Sequence, residues 1–252
     1  MLGELKLVLD KNVNINQLSN LQGVLMKNIS TEYAEFLHNQ RFNPYSIGIC
    51  KEDGSCIWTI NTVTSEAYDN IIVPLLEDDF NRFEIYKSNN KINILEKEVK
   101  KVKIRDKINT ICNGKLYSNY VIRFVTPVAF KSEGKYICLP DLRLIYQNLF
   151  NKFNYIVNGL QVYDNNTIDR LVNCTEIKKF DIESYNFHLE KISIPGCTGN
   201  ICIRAKGTED ELKLINILLT FGEYCGLGIK SSIGMGKIKI ERGVRIKWKS
   251  IL

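Results

Sequence analysis

The chain has 252 residues, of which 44% are hydrophobic and 25% charged, and its formal net charge is +6. These proportions are ordinary for a soluble globular protein, and the length suits one large domain or two of about 120 residues. No apolar run approaches the roughly 18 residues that a membrane-spanning helix needs, so we expect no membrane association.

The eight cysteines do not have the spacing of a metal site. No two of them form a C-x-x-C pair, and the chain has only two histidines, His38 and His188. A zinc cluster is therefore not expected. Most of the cysteines stand beside apolar residues in strand-like runs, which is typical of small buried side chains in a reducing compartment. We predict a cytoplasmic protein that uses no metal and no cofactor.

Hydrophobic periodicity predicts the strands and helices of the first half. In chain order they are a strand over 4–10, a helix over 15–29, a short helix after 30, a hairpin of 45–51 and 56–63, a helix over 65–76, and strands over 82–88 and 91–105. Ser30 or Thr31 is placed to cap the short helix, and Ser65 to cap the next one. The Asp53-Gly54 pair is a strong hairpin-turn signal. Alternation at the N-terminus indicates a strand and not a secretory leader.

The second half repeats this order of elements. They are a strand over 120–125 that ends at Thr126-Pro127, a helix from 140 to about 153, strands over 186–194 and 200–206, a helix from 208 to about 225, and a strand over 237–240. Thr208 and Glu211 form a capping-box sequence, and Gly226 is a natural helix terminator. Each half thus has the β-α-β-β-α-β order of a ferredoxin-like domain. We predict an α+β fold of two tandem ferredoxin-like domains, over residues 1–115 and 116–252.

A glycine-rich segment, here called the glycine loop (residues 226–237), separates the last predicted helix from the last predicted strand. Four glycines stand within eleven residues: Gly226, Gly228, Gly234 and Gly236. Cationic and hydroxyl side chains lie among them or close the loop: Lys230, Ser231, Ser232 and Lys237. Such a loop suits a polyanion, although a plain turn joining a helix to a strand has a similar composition. The spacing matches neither the P-loop nor the dinucleotide-binding fingerprint.

Positive charge is concentrated in two further segments. Six basic residues crowd positions 97–107 and include Lys101, Lys103 and Arg105. Four more crowd the C-terminus: Arg242, Arg245, Lys247 and Lys249. A basic balance of this kind fits a nucleic acid or an acidic surface as the partner, but many solvated faces look the same. Charge alone leaves both interpretations open.

Four segments together resemble one family. The glycine loop, entered from a helix and left by a strand, resembles the signature loop of the RAMP superfamily, and within it that of the CRISPR-associated endoribonuclease that processes precursor CRISPR RNA. Residues 37–46, which contain His38, resemble the segment in which a histidine ends the first helical region of this family. Residues 124–130, with Thr126-Pro127, and residues 194–199 resemble two further segments. The resemblance extends over nearly the whole chain.

The resemblance implies metal-independent cleavage of CRISPR repeat RNA to mature guide RNA. Members of the family typically use the 2′-hydroxyl at the cleavage site to attack the neighbouring phosphate, which leaves a 2′,3′-cyclic phosphate. That reaction needs a base, an acid and positive charge near the phosphate. Two other hypotheses stay open: a non-catalytic RAMP subunit that binds guide RNA in an interference complex, and an unrelated protein that binds a small ligand. Other CRISPR-complex subunits and a second copy of the chain are further candidate partners.

His38 is the main catalytic candidate under this resemblance. An imidazole has an unperturbed pKa of about 6.5, which suits proton transfer, and a helix C-terminus favours its protonated form. The alternative is a surface histidine in a helix-ending turn. Tyr33 is a candidate to orient the attacking hydroxyl, although its direction on the helix diverges from that of His38 by roughly 140°, which favours a place in the core. Lys51 or Arg41 would supply charge to the phosphate.

Further residues are candidates for RNA contacts. In the glycine loop they are Gly228, Lys230, Ser231, Ser232, Gly234, Gly236 and Lys237. Outside the loop they are Arg41, and Lys101, Lys103 and Arg105 against a hairpin stem. Such contacts position an RNA without reading its bases, and they weaken as salt rises. Asn43 stands near the position where members of the family often carry a lysine, and His188 is interpreted as structural or RNA-contacting.

Overall fold

Two antiparallel sheets organise the computed structural model, which describes residues 1–85, 91–158, 164–189 and 192–244. The strands of the first half are β1 (Leu2–Leu9), β2 (Tyr45–Glu52), β3 (Ser55–Thr62), β4 (Arg82–Glu84) and β5 (Lys91–Val102). They lie in the order β2-β3-β1-β5-β4. With the short edge strand β4 set aside, this is the strand order of a ferredoxin-like domain.

The second half repeats that order. Its strands are β6 (Asn119–Val128), β7 (Phe130–Ser132), β8 (Lys135–Ile137), β9 (Thr175–His188), β10 (Ser193–Ala205) and β11 (Ile238–Arg242). The main sheet has the order β11-β6-β10-β9, and β7 and β8 form a separate hairpin. Both sheets thus place the first long strand between the third and the last, as two tandem ferredoxin-like domains require.

Helices contribute to the two hydrophobic cores beside the sheets. The helices are α1 (Leu18–Lys27), α2 (Thr31–His38), α3 (Ser65–Ala67), α4 (Val73–Leu76), α5 (Ile104–Cys112), α6 (Leu142–Asn158), α7 (Asn165–Asn173) and α8 (Glu209–Cys225). A π-helical turn over Tyr68–Ile72 joins α3 to α4, and short 3-10 turns occur at Ile15–Gln17 and Ser231–Ile233.

Local signals explain where several elements begin and end. Thr208 Oγ1 accepts a hydrogen bond from Glu211 N, and Glu211 Oε2 accepts one from Thr208 N, so the predicted capping box of α8 is confirmed. Asp53 and Gly54 have φ values of 49° and 81°, which the tight turn between β2 and β3 requires. The cap of α3 is Thr64, whose Oγ1 accepts from Ala67 N at 3.0 Å, so the prediction of Ser65 was wrong by one residue.

Other predicted bounds of helices and strands were wrong because charged and polar residues obscured the hydrophobic periodicity. The sequence from 104 to 112 forms α5, whereas we expected a strand as far as 105; only Ile111 of this helix is buried. The polar helix α7 was not predicted, and β9 begins at Thr175 instead of 186. The end of the strand predicted over 82–88 and the basic residues Arg245, Lys247 and Lys249 lie outside the described residues.

The two cores exchange residues across the middle of the molecule. Phe187, Ile194 and Met235 of the second half pack into the first core, and Leu2 and Val63 of the first half pack into the second. Helix α5, near the middle of the chain, packs against α8. The halves therefore interlock, and the predicted limits of 1–115 and 116–252 stay a prediction.

Polar contacts join the first sheet to the C-terminal end of α8. Ser46 Oγ donates to the carbonyl of Tyr224 at 2.6 Å, and Asn61 Nδ2 donates to the carbonyl of Glu223 at 3.0 Å. The last carbonyls of a helix have no partner within the helix. Side chains of the first half therefore satisfy part of a helix end in the second half, close to where the glycine loop begins.

Candidate functional site

His38 is the last residue of α2 and is exposed. The helix begins where Ser30 Oγ accepts a hydrogen bond from Tyr33 N at 3.2 Å, which confirms the predicted cap. It ends at Asn39, and residues 39–44 then lead into β2. The imidazole thus lies at the C-terminal end of a helix.

The chain that follows His38 is fastened to the second half of the molecule. Tyr155 Oη donates to Gln40 Oε1 at 3.2 Å, and the ring of Phe42 meets that of Tyr155 edge-on, with centroids 5.5 Å apart. Asn43 Nδ2 donates to Ser232 Oγ in the glycine loop at 3.2 Å. We call residues 38–44 the His38 segment. Two regions that the sequence singled out separately are therefore joined by a direct hydrogen bond.

The glycines of the loop permit close packing within the protein. A Cβ atom added at Gly236, where φ is 74°, would lie 2.0 Å from the carbonyl oxygen of Leu227, and one at Gly228 would lie 2.2 Å from that of Ala129. At Gly234 the clash would be with Leu18 of α1, at 2.4 Å. These positions need both positive φ and the absence of a side chain. In this structure the backbone of the loop approaches other parts of the chain.

Two residues of α6 hold the loop from beneath. Lys152 is 3% exposed, and its Nζ donates to the carbonyl of Gly226 at 2.8 Å and to Ser231 Oγ at 3.3 Å. Asn148 Oδ1 accepts from Gly228 N at 2.8 Å. Burial lowers the pKa of Lys152 because the charged ammonium loses its hydration.

The loop residues predicted to contact RNA differ in exposure. Lys230 is exposed, with a φ of 58°, and Ser232 is half-buried, so both can meet a ligand. Ser231 and Lys237 are buried. The stem of Lys237 lies over Gly48, where an added Cβ would come within 2.5 Å of Lys237 Cδ, and burial lowers the pKa of this lysine. Their roles in RNA binding stay predictions, which exposure favours for Lys230 and Ser232.

Tyr33 lies inside the first core. Its side chain is 5% exposed, and its ring stacks on Phe36 with centroids 5.4 Å apart. The hydroxyl is buried without a hydrogen-bond partner, and burial raises the pKa of this phenol. The tyrosine therefore does not share the exposed surface of His38, and its catalytic role stays a prediction that this position disfavours.

Lys51 lies toward the opposite end of β2 from the His38 segment. It stands six positions along the strand from Tyr45, which at about 3.3 Å per residue is a distance of roughly 20 Å. Tyr45 hydrogen-bonds Ser232, so the glycine loop meets the other end of this strand. The structure therefore does not bring Lys51 beside the Asn43–Ser232 contact, which disfavours the predicted catalytic role.

Lys51 instead lines a groove between the two halves. The groove has a volume of about 1030 Å³ and is also lined by Arg123 of β6, Asn200 of β10, Lys239 of β11 and Tyr185 of β9. The three cations Lys51, Arg123 and Lys239 and residues of both sheets thus line one groove. We refer to it as the central groove.

Carboxylates partly neutralise the cations of the central groove. Glu52 accepts from Lys239 at 2.6 Å and from Lys6 at 3.0 Å, and these two lysines lower the pKa of Glu52 to about 2. Arg123 pairs with Glu241 at 2.9 Å. Lys51 is exposed at the edge of the groove.

The remaining candidates lie elsewhere on the surface. Lys101, Lys103 and Arg105 are exposed at the end of β5 and the start of α5, and Lys101 Nζ lies 5.3 Å from the centroid of the Tyr68 ring. Arg41 is exposed, with its guanidinium 5.4 Å from the ring of Phe42. His188 is exposed at the end of β9.

Comparison with known proteins identifies the family. The family model of the CRISPR-associated endoribonuclease Cas6 matches residues 122–238, which contain β6 and the glycine loop. A CRISPR-associated endoribonuclease Cas6 of Streptococcus thermophilus is 32% identical over 225 residues, which cover 87% of this chain and 89% of that protein. One of Mycobacterium tuberculosis is 31% identical over 222 residues, which cover 88% of this chain and 70% of that protein. The chain belongs to the Cas6 family.

Membership in the Cas6 family makes this chain an endoribonuclease, as the resemblance implied. A solved Cas6 product complex has the same fold, with a TM-score of 0.76 and 19% identity over 95% of this chain and 99% of that one. The predicted pair of ferredoxin-like domains is thereby confirmed.

Among the residues that the structure describes, no group of three or more His, Cys, Asp or Glu side chains is placed to hold a metal ion. None of the helices in the described ranges has the length and apolarity that crossing a bilayer requires.

Sequence reasoning missed Lys152 and Asn148, although a signal for the lysine exists. Lys152 follows Ile145 and Leu149 and precedes Ile156 at intervals of four, three and four residues, which places it on the apolar face of α6. A lysine on such a face is buried only when it has hydrogen-bond partners. The position therefore marks a buried polar contact, but the pattern does not show which residues supply it.

Proposed function

We propose that this Cas6 chain binds CRISPR repeat RNA and cuts it without a metal ion, with His38 as the proton donor. The observation that carries the proposal is the hydrogen bond from Asn43 to Ser232, because it holds the His38 segment against the part of the glycine loop that follows the exposed Lys230. The imidazole of His38 and the cationic glycine loop then lie beside the same surface. The products are a 2′,3′-cyclic phosphate and a free 5′-hydroxyl end.

The reaction needs proton donation at the bond that breaks. The 2′-hydroxyl of the nucleotide before the cut gives its proton to water or another base, and its oxygen forms a bond to phosphorus while the bond from phosphorus to the 5′-oxygen breaks. His38, at the C-terminal end of α2, gives its proton to the leaving 5′-oxygen. Lys230 supplies positive charge to the phosphate from the exposed part of the loop.

The central groove is our candidate for a second RNA-binding surface. It contains the cations Lys51, Arg123 and Lys239, and residues of both sheets line it. Cations of this kind contact phosphates without reading bases. An RNA strand held there would be positioned by charge, while the His38 end of the molecule carries out the reaction.

Location and assembly are further parts of the proposal. All eight cysteines are free thiols, which suits the reducing cytoplasm. Association with other CRISPR-complex subunits or with a second copy of the chain stays a prediction.

The test uses end-labelled repeat RNA, the parent protein, His38→Ala and His188→Ala, all in excess EDTA. We expect the parent to cut once and to leave a cyclic phosphate. His38→Ala should slow cleavage by roughly 10² to 10⁴-fold, the usual contribution of a general acid or base. His188→Ala is the matched control, since it removes the other histidine, and its rate at saturating RNA should be that of the parent.

Three results would contradict parts of the proposal. Cleavage by His38→Ala at the parental rate would assign proton transfer to another residue. A requirement for divalent metal would exclude the metal-independent reaction. Salt-sensitive binding of repeat RNA by the parent without any cut would favour the non-catalytic guide-RNA subunit instead.

A further inference from the structure

We propose that Lys152 is a positioning residue for RNA cleavage, whose buried ammonium fixes the glycine loop in the shape that holds the His38 segment. The inference rests on the cleavage reaction proposed above. It concerns a residue that lies beneath the reacting surface and acts through other groups.

Lys152 is placed where an uncharged side chain would be expected. It lies on the apolar face of α6, one turn after Leu149, which is fully buried in the second core. The lysine itself is 3% exposed. Burying an ammonium is unfavourable unless its N–H groups find acceptors, and a methionine of similar volume would fill the space without that cost.

The acceptors of Lys152 belong to the last residue of α8 and to the glycine loop. Its Nζ donates to the carbonyls of Gly226 at 2.8 Å and Cys225 at 3.4 Å, and to Ser231 Oγ at 3.3 Å. An ammonium has three donors, so each has a partner. The two carbonyls lie at the C-terminus of α8, where a positive charge is favoured. No carboxylate pairs with Lys152 among the salt bridges of the described residues.

One ammonium therefore ties two points of the loop that are separated in sequence. Gly226 and Ser231 are in close contact, since a Cβ added at Gly226 would lie 2.6 Å from Ser231 Cβ. The next residue, Ser232, accepts the hydrogen bond from Asn43 that fastens the His38 segment. A continuous path of bonds thus runs from Lys152 through the serine pair to the segment that begins at His38.

Loss of the ammonium would leave the Cys225 carbonyl and Ser231 Oγ without this donor, and the Gly226 carbonyl with only the weak donor Cys225 Sγ, so the loop would relax to hydrate them. Ser232 would move with the loop, and Asn43 with Ser232. A displacement of about 1 Å in catalytic geometry can slow a reaction by roughly 100-fold. Because Lys152 is covered by the loop, we expect the chemical step to slow while RNA affinity stays the same.

The experiment compares Lys152→Met with Leu149→Ala in the full chain. Leu149→Ala removes buried packing between α6 and α8, where a Cβ at Gly222 would lie 2.9 Å from Leu149 Cδ2, and it leaves the loop bonds intact. Both variants are compared with the parent by melting temperature, single-turnover cleavage at saturating repeat RNA, and RNA affinity at several salt concentrations. Lys152→Met should cleave roughly 100-fold more slowly with a dissociation constant within about threefold of the parent. Leu149→Ala should lower the melting temperature but cleave at the parental rate wherever it is folded.

Hydrogen exchange in the absence of RNA gives a readout that does not depend on activity. Amides of residues 227–236 should lose protection in Lys152→Met and keep it in Leu149→Ala. Parental protection of these amides, or equal cleavage rates in the two folded variants, would overturn the proposal. Weaker RNA binding with a smaller salt dependence and parental protection of these amides would also overturn it, because that result identifies a direct phosphate contact. If the parent itself does not cut, the proposed function fails, and the exchange result still decides whether Lys152 fixes the loop.

Discussion

The glycine loop and the central groove show two ways in which a protein prepares a surface for RNA. The loop is mostly buried, and its shape depends on close backbone approaches at Gly228, Gly234 and Gly236. The groove is open and depends on charged side chains that project from sheets. Composition drew attention to the loop, yet most of the loop's unusual residues serve its own packing.

The two regions also differ in how their charges are balanced. Lys152 beneath the loop is held by carbonyl and hydroxyl oxygens in a buried site. Lys239 and Arg123 in the groove pair with the carboxylates of Glu52 and Glu241, which solvent reaches. Salt screens exposed charges much more than buried ones. The loop should therefore respond to changes of shape, and the groove to changes of charge and salt.

The largest expected effect is on stability, and it distinguishes a glycine that is needed because there is no room for a side chain from one that is needed only for its positive φ. Gly236→Ala forces a Cβ to within 2.0 Å of the Leu227 carbonyl, whereas Gly54→Ala, at a similar φ of 81°, meets nothing within 4 Å. We expect Gly236→Ala to lower the free energy of unfolding by at least about 3 kcal/mol, and Gly54→Ala by about 1 kcal/mol. Urea denaturation measures both. Equal losses would mean that the loop is not closely packed at Gly236.

A charge removed from the groove should change binding and leave the chemical step intact. Lys51→Ala should weaken RNA binding by roughly threefold to tenfold at low salt and reduce the slope of log affinity against log salt by about one. Lys135→Ala, in the exposed hairpin strand β8, is the matched control and should change neither quantity. A slower single-turnover rate at saturating RNA in Lys51→Ala would restore the catalytic role predicted for this lysine.

The ion pairs of Glu52, with Lys6 in the same half and Lys239 in the other, should contribute stability that depends on pH. The pKa of Glu52 is about 2, below its ordinary value of 4.5, so its contribution is present above about pH 4.5 and is lost as the pH falls toward 2. Because solvent reaches this carboxylate, we expect Glu52→Gln to cost only about 1 kcal/mol of unfolding free energy at pH 7. Denaturation of both proteins between pH 7 and pH 3 should show the difference shrinking. A difference that stays constant over this range would show that the charge of Glu52 is not the cause.

The smallest expected effect concerns Tyr33. Its hydroxyl is buried and unpaired, so Tyr33→Phe should leave the free energy of unfolding unchanged or raise it by up to about 1 kcal/mol. Cleavage at saturating RNA should stay at the parental rate, because the side chain lies in the core. A tenfold slower rate without loss of stability would support the role that the sequence suggested for this tyrosine.

The sequence predicted the order of elements better than the contacts of the loop. Periodicity and capping signals located α2, α8 and the hairpin because these signals act between residues close in sequence. The partners of the loop glycines include Leu18 and Ala129, which are distant in sequence, so spacing could not identify them. Helix α5 was missed for a related reason, since it packs against α8, which is distant in sequence, and the basic run continues into its first turn with Arg105 and Lys107.

The same limit applies to the charged residues. Lys237 was predicted to contact RNA because it closes the cationic glycine loop. Its burial depends on Gly48, which leaves room for the lysine stem and stands far away in the sequence. The exposure of a side chain depends on the residues that surround it in the folded protein. Residues that are distant in sequence and meet only on folding cannot be identified from the local sequence pattern.

The capping of α8 by the other half has a consequence for synthesis of the chain. Ser46 and Asn61 leave the ribosome long before their carbonyl partners, which follow 178 and 162 residues later in the two hydrogen bonds. Until α8 has been synthesised, this part of the first sheet is exposed to water. Hydroxyl and amide groups remain hydrated during such a delay, whereas an apolar surface would attract other nascent chains. The polar contact surface around Ser46 and Asn61 thus protects against aggregation, because the first half of the protein is synthesised well before the helix that covers it.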